Sequence, residues 1–246
     1  MQKESFIRRV DNPTNQFRFY QGVWQNPETQ KEEVIWCYPS VTSKIDAVYP
    51  KDTYLIKWIR ENGLSGQAEF ERAGEEGTEI HILIDRLIKK ESLPTFDMSE
   101  KVKRCLLSFI DWYQTFKPKI IETETMVVDH ELRVAGTFDL KCELNVTVGK
   151  ETYKGVYLID YKTSRSVHES HKIQNCTYAK IEGVKNASLL HLGNSTKKHW
   201  SFIDIEPEEV IEYQKQFDHF NKTFDILHPN AAPNAIVYPE VFTLSI

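Results

Sequence analysis

A chain of 246 residues with 40% hydrophobic and 12% aromatic content can bury a full core, and one large domain is the reading favoured over two small ones. The formal net charge of -5 lacks the basic footprint usual for a nucleic-acid binder, while a mean hydropathy of -0.48, with no apolar run near the roughly 18 residues of a membrane span, argues against a transmembrane helix. Met1–Val10 is polar and charged where a secretory signal would be apolar, so a cytoplasmic chain without a membrane partner is expected.

Residues 1–36 scatter Phe6, Phe17, Phe19, Tyr20, Trp24 and Trp36 among polar residues, with Pro13 and Pro27 as breakers, which reads as short strands and loops or a lid. Ser40 and Thr42 are helix-capping types ahead of Val41–Val48, and Pro50 ends that segment. Leu55, Ile56, Trp58 and Ile59 recur at helical spacing up to Gly63. From Gln67 to Lys90, the positions Phe70, Ala73, Gly77, Ile80, Ile84, Leu87 and Ile88 predict a long helix, although Gly74 and Gly77 each cost it about 1 kcal/mol against Ala. Gly74, Gly77 and His81 share one side. A lone histidine is ordinarily a packed or surface residue; the glycines beside this one point to close approach by another backbone or a nucleic-acid strand.

Ser99–Phe116 predicts a helix with Val102, Leu106, Phe109, Ile110 and Tyr113 as its apolar stripe, stopped by Pro118. Ile120–Val128 alternates as a strand, Asp129-His130-Glu131 turns, and Leu132–Leu144 returns, so this hairpin carries Glu122, Glu124 and Asp139. Val146–Lys154, turning at Gly149-Lys150, leads by another hairpin into an apolar strand that ends in Asp160-Tyr161-Lys162. Strand residues two apart project from the same face, so Asp160 and Lys162 point together. A carboxylate and an ammonium at the end of a buried strand are costly for packing alone and suit a divalent metal ion with a water. Asp139 brings a second carboxylate, and Gly136 lets a ligand or backbone come close. Metal-dependent phosphodiester hydrolysis on DNA is the chemistry these residues suggest.

A helix from Glu169 puts His171, Gln174 and Tyr178 on one face, where Gln174 and Tyr178 read by default as surface residues. Ser188–Leu192 and Trp200–Ile205 are strand-like runs flanking a Gly193-Asn194 turn. Pro207 opens a final amphipathic helix through Val210, Ile211, Tyr213, Phe217, Phe220 and Phe224, with Glu208 and Glu209 complementing its dipole, and the tail from His228 is expected against the surface. Cys37, Cys105, Cys142 and Cys176 form no CxxC pair and read as free buried thiols rather than a zinc or iron–sulfur site. Sequons at Asn145, Asn186, Asn194 and Asn221 read as chance. Basic groups at Arg8-Arg9, Lys101–Arg104, Lys162 with Arg165, and Lys197-Lys198-His199 are phosphate contacts or solvated surface.

Five elements now fall in order: Gly77-Thr78-Glu79-Ile80-His81, Glu124, Gly136-Thr137-Phe138-Asp139, Ile159-Asp160-Tyr161-Lys162-Thr163-Ser164, and Gln174-Asn175-Cys176-Thr177-Tyr178. Together they resemble the RecB-like branch of the PD-(D/E)XK nuclease superfamily, and Pro39-Ser40-Val41-Thr42-Ser43 is similar to a segment of its phage-encoded exonucleases. The resemblance implies an α/β (α+β) fold: a central mixed β-sheet flanked by helices, a restriction-endonuclease-like core, with a helical arch or lid at the N-terminus. Within a single domain it implies an N-terminal part at 1–66, a catalytic core at 67–206 and a C-terminal helix and tail at 207–246. It implies a metal site at the sheet edge, with His81, Asp139, Asp160 and the Tyr161 carbonyl as ligands, Lys162 as catalytic lysine and Glu124 as the acidic position of the first strand. Glu122, on the same face, is open to confusion with Glu124. Gln174 and Tyr178 would support the site and the DNA strand, and Thr163, Ser164 and Arg165 are further candidate substrate contacts. Two acids and an imidazole suit Mg²⁺ or Mn²⁺, and the cysteines of cluster-bearing relatives have no match, so no iron–sulfur cluster is expected. The expected activity is a DNA exonuclease on single strands or on DNA ends, with a duplex-resecting enzyme and a catalytically silent DNA-binding protein as alternatives. A helicase, polymerase or recombinase would be the protein partner.

Overall fold

The computed structural model describes residues 4–10, 17–50 and 53–231. Pro13, the side chain of Leu55 and the tail beyond residue 231 lie outside the described residues. The aromatic-rich start folds as three short strands, β1 (Phe6–Val10), β2 (Phe19–Gln25) and β3 (Glu32–Pro39), paired antiparallel in the order β1-β2-β3. Phe19, Tyr20 and Val23 are buried, which holds β2 in place. Ser40 then caps α1 (Val41–Val48): its Oγ accepts the Ser43 amide at 2.9 Å, satisfying a donor that the first helical turn would otherwise leave open.

The centre of the molecule is a five-stranded sheet of β4 (Lys119–Asp129), β5 (Val134–Val148), β6 (Glu151–Lys162), β7 (Asn186–Leu192) and β8 (Trp200–Ile205), in that order. Neighbours pair antiparallel except β6 and β7, which run parallel. A parallel join needs a crossover. The helix α4 (Glu169–Ile181) supplies it. Gly149, at φ 67, turns β5 into β6 where the Gly-Lys pair predicts.

Helices cover both faces. On one, α3 (Glu100–Phe116) and the second half of α2 (Thr53–Ile88) pack on Leu140, Cys142, Leu144, Tyr157 and Ile159. On the other, α1, α4 and α5 (Pro207–Leu227) pack on Phe138, Leu158 and Ala187. The α/β class with a mixed sheet flanked by helices is therefore what the chain adopts. Alternation along β6 decides the sides: Ile159 and Tyr161 face α3, whereas Leu158 faces α4.

The helices depart from expectation in three places. α2 starts at Thr53, well before Gln67, and breaks at Gly63 (φ 55, ψ -135). Its stripe reaches the core only from Ile80 onward, through Leu83 and Ile84; Phe70 is 52% exposed, and residues 60–75 are in solvent apart from Gly66. In α3 the buried line runs through Cys105, Phe109, Trp112 and Phe116, leaving Tyr113 at the rim. In α5 Val210, Tyr213, Phe217 and Phe224 are buried, while Ile211 is 54% exposed. Spacing tells which side chains share a helix face; what packs against that face is decided by other elements. α5 is tied to α1 by Lys44, which is buried, donates to Asn221 Oδ1 and pairs with Asp225 Oδ1 at 2.9 Å. Cys105, Cys142 and Cys176 are buried free thiols, whereas Cys37 is only partly covered. Among the described residues, no helix is long and apolar enough to cross a membrane.

Candidate metal centre

β5 and β6 hold a complete backbone ladder from Val148 opposite Glu151 up to Leu140 opposite Ile159, and no further. Above that point β5 stays with β4 as far as Val134, while β6 stays with β7 to Lys162, so the two strands part as a fork. Asp139 and Asp160 are the next residues on each arm. The Tyr161 amide, which has lost a strand partner, donates instead to Asp139 Oδ2 at 2.6 Å. A carboxylate thus stands in for a missing carbonyl.

Into this fork α2 directs His81, whose Nδ1 lies 3.2 Å from Asp139 Oδ1 and 3.7 Å from Glu124 Oε1. The Tyr161 ring meets the imidazole edge-on at 5.5 Å and fixes its tilt. Glu124 arrives by an irregularity: β4 shifts register between Ile120 and Glu122, and Glu124 itself sits at φ 44. That left-handed backbone is strained for a non-glycine residue and re-aims the side chain. The same irregularity separates the two glutamates, because Glu122 pairs with Lys141 at 3.3 Å. Asp85 braces the bulge from α2, its Oδ1 accepting from Thr123 Oγ1 at 2.6 Å.

His81, Glu124 and Asp139 each offer a ligand atom, and these atoms lie within 4.8 Å of one another; no other such group of His, Cys, Asp or Glu occurs among the described residues. The expected trio of His81, Asp139 and Asp160 is met in two members, with Glu124 as the third. Asp160 stands beside them, its Oδ2 2.6 Å from Lys162 Nζ, so the expected side-by-side projection of Asp160 and Lys162 is what β6 produces. The Asp160–Lys162 contact is an ion pair rather than an aligned hydrogen bond.

Crowding sets the charges. Burial alone would lower His81, but Asp139, Glu124 and Asp160 outweigh it and raise its pKa to about 9. Burial and then the Asp139 charge push Glu124 up to about 7, and burial, partly opposed by Lys162, pushes Asp160 up to about 6. Asp139 goes the other way: burial is overcome by His81, Lys162 and the Tyr161 amide, which hold it below the usual carboxylate range. One firmly ionised acid, one charged imidazole and two acids that keep protons into the mildly acidic range is the pattern of anions packed without enough cations.

The remaining predicted residues fall into three groups. Lys162 Nζ donates to Gln174 Oε1 at 3.1 Å, so Gln174 belongs to the site and is not a bystander on the helix surface. Tyr178 is buried, 2% exposed, and a side chain at Gly136 would collide with its ring; the close approach expected at Gly136 is made by this phenol, which supports the site from beneath. Thr163 Oγ1 fills the space beside Gly77, whereas Gly74 faces nothing within 4 Å. Ser164 donates to the Ser166 carbonyl at 2.7 Å, its own carbonyl bonds His191 Nε2 at 2.7 Å, and Arg165 is exposed. His171 is held neutral, its pKa lowered to about 3 by burial and by Lys162, His168 and His191, and it accepts the His168 amide at 3.3 Å. The residue that sequence reasoning left out is Thr42, seen only as a capping type; its hydroxyl receives Gln174 Nε2 at 2.7 Å. Its place inside the Pro-Ser-Val-Thr-Ser segment was the available signal.

No family model matches the chain, and no curated protein matches it. A solved structure described as "Crystal structure of SSO0001" aligns over 72% of this chain and 82% of its own, at 12% identity and a TM-score of 0.32. At that score the likeness carries no weight for fold or function.

Proposed function

We propose that this protein is a metal-dependent nuclease that hydrolyses phosphodiester bonds in DNA, on single strands or at DNA ends. The observation that carries this reading is the convergence of His81, Glu124 and Asp139 within 4.8 Å, with the Asp160–Lys162 pair alongside. Glu124 Oε1 is buried and has no hydrogen-bond partner, a condition that costs about 1–3 kcal/mol unless a cation or water answers it. Two carboxylates and an imidazole fit Mg²⁺ or Mn²⁺, with the imidazole favouring Mn²⁺.

Such an ion, when bound, neutralises charge on the phosphate and lowers the pKa of an attacking water. Asp139, Glu124 and His81 would hold it, and Asp160 is near enough to lend its charge. To serve as a ligand, His81 must release the proton it shares with Asp139. Lys162, held between Asp160 and Gln174, is the group that orients the water or stabilises the anionic phosphate as it becomes five-coordinate. The overall charge of -5 is compatible with this reading, since a bound cation offsets part of the carboxylate cluster.

The test is incubation with Mn²⁺ and end-labelled linear single-stranded, linear duplex and closed circular DNA. Release of labelled nucleotides from linear substrates, with circles left intact, is the expected result. Preference for duplex ends would mark a resecting enzyme. Binding without any cleavage in Mn²⁺ would reject the nuclease and leave a silent DNA-binding protein.

A further inference from the structure

A chain of hydrogen bonds leaves the centre through Lys162 and ends on α1. Lys162 Nζ donates to Gln174 Oε1 at 3.1 Å, and Gln174 Nε2 donates to Thr42 Oγ1 at 2.7 Å, across 132 residues of sequence. Burial raises the pKa of the Tyr178 phenol, and the neighbouring Thr42 and Gln174 side chains partly oppose it. A glutamine amide has two unlike ends, and only the carbonyl can accept from an ammonium. Turned over, Gln174 would set its NH₂ against Lys162, donor facing donor. Lys162, which can only donate, decides which end of the amide faces it, and Thr42, whose hydroxyl can accept or donate, pins the other end in place. Thr42 sits in the first turn of a helix anchored by the Ser40 cap and by the buried Val41 and Ile45, so its hydroxyl is a fixed point.

We propose that Thr42 is a positioning residue: its hydroxyl anchors the far end of the Gln174 side chain and so keeps in place the carbonyl that, together with Asp160, holds Lys162 Nζ beside the acids of the metal centre. Thr42 contacts none of the ligand carboxylates; it acts only through Gln174. The role in catalysis rests on the nuclease reading, whereas the orientation of Lys162 does not.

The test compares Thr42→Val, which keeps the branched shape and removes the acceptor, with Thr42→Ser, which restores it. In the metal-free protein, NMR would follow exchange of the Gln174 side-chain amide and the order of the Lys162 Cε–Nζ group. Thr42→Val is expected to speed the exchange at least about tenfold and to loosen Lys162, with Thr42→Ser within about twofold of the parent. On labelled DNA with Mn²⁺, Thr42→Val should lower kcat about tenfold with KM within about twofold. Should Thr42→Val fail to fold, Gln174→Leu tests the chain from its other end and should loosen Lys162 as well; where Thr42→Val folds, the double variant should be no slower than Gln174→Leu alone. Unchanged Lys162 order in Thr42→Val, an equal loss in Thr42→Ser, or additive losses in the double variant would overturn the proposal. A parent protein that cleaves no DNA, in which Thr42→Val still loosens Lys162, would sink the nuclease reading and leave the positioning role standing.

Discussion

One strand pair, β5 with β6, is built to opposite rules along its length. Below the Leu140–Ile159 pair the ladder is complete, and Leu140, Cys142, Leu144 and Ile159 are wholly buried apolar groups. Above it the ladder stops, and the buried positions carry Asp139 and Asp160. The lower half is favourable by itself, because it removes apolar surface from water and leaves no backbone group unpaired. The upper half is not: acids are crowded against one another, and Glu124 is held in a strained backbone. Such strain persists only where neighbouring structure over-determines it, which the closed ladder beneath and α2 above both do. On the nuclease reading, stability and chemistry fall to adjacent residues of the same strands, and substitutions a single position apart should separate them.

The largest expected effect is on the upper half. Lys162→Ala should cut DNA cleavage by about 10³-fold or more while DNA affinity, followed by fluorescence anisotropy, stays within about threefold; undiminished turnover would remove Lys162 from the chemistry. The opposite signature is expected one step below the fork. Leu140→Ala should cost about 2–5 kcal/mol in urea unfolding and leave the Mn²⁺ affinity of the folded fraction unchanged, so a weakened metal site there would break the separation. Asp139→Asn, its sequence neighbour, should weaken Mn²⁺ binding in calorimetry at least about 100-fold, since even groups behind a metal ligand commonly contribute 10- to 100-fold. Gly136→Ala, which drives a methyl into the Tyr178 ring, should lower stability by about 1–3 kcal/mol, and a companion Tyr178→Phe should relieve it only in part, because the clash with the ring carbons remains once the hydroxyl is gone.

The smallest effect is in pH. His81 binds its proton more tightly folded than unfolded, so its contribution to the metal-free fold is full below about pH 6.5 and is lost as pH rises through about 9. Glu124 adds a loss of the same sign as pH rises through about 7. Melting in EDTA should accordingly weaken from mildly acidic to alkaline pH by on the order of 1–2 kcal/mol, and Mn²⁺ should abolish the trend. A flat profile in EDTA would mean that the imidazole and acids do not share protons as their distances imply.

What the sequence alone determined is local. Ser40 before an apolar helix, Gly149 at a hairpin turn, Pro207 opening α5 and the common direction of Asp160 and Lys162 all follow from covalent geometry and from neighbours a few residues away. What only the tertiary structure decided is convergence. Glu124 enters the ligand group because β4 slips its register, Tyr178 reaches Gly136 because α4 lies across β5, and Thr42 reaches Gln174 because α1 and α4 share one face of the sheet. Residues 60–75 of α2 stay in solvent apart from Gly66, although their spacing, through Phe70 and Ala73, continues that of the buried half. Period and propensity act over a few residues, whereas these contacts join positions far apart in the chain, and their distances are set by how whole elements pack.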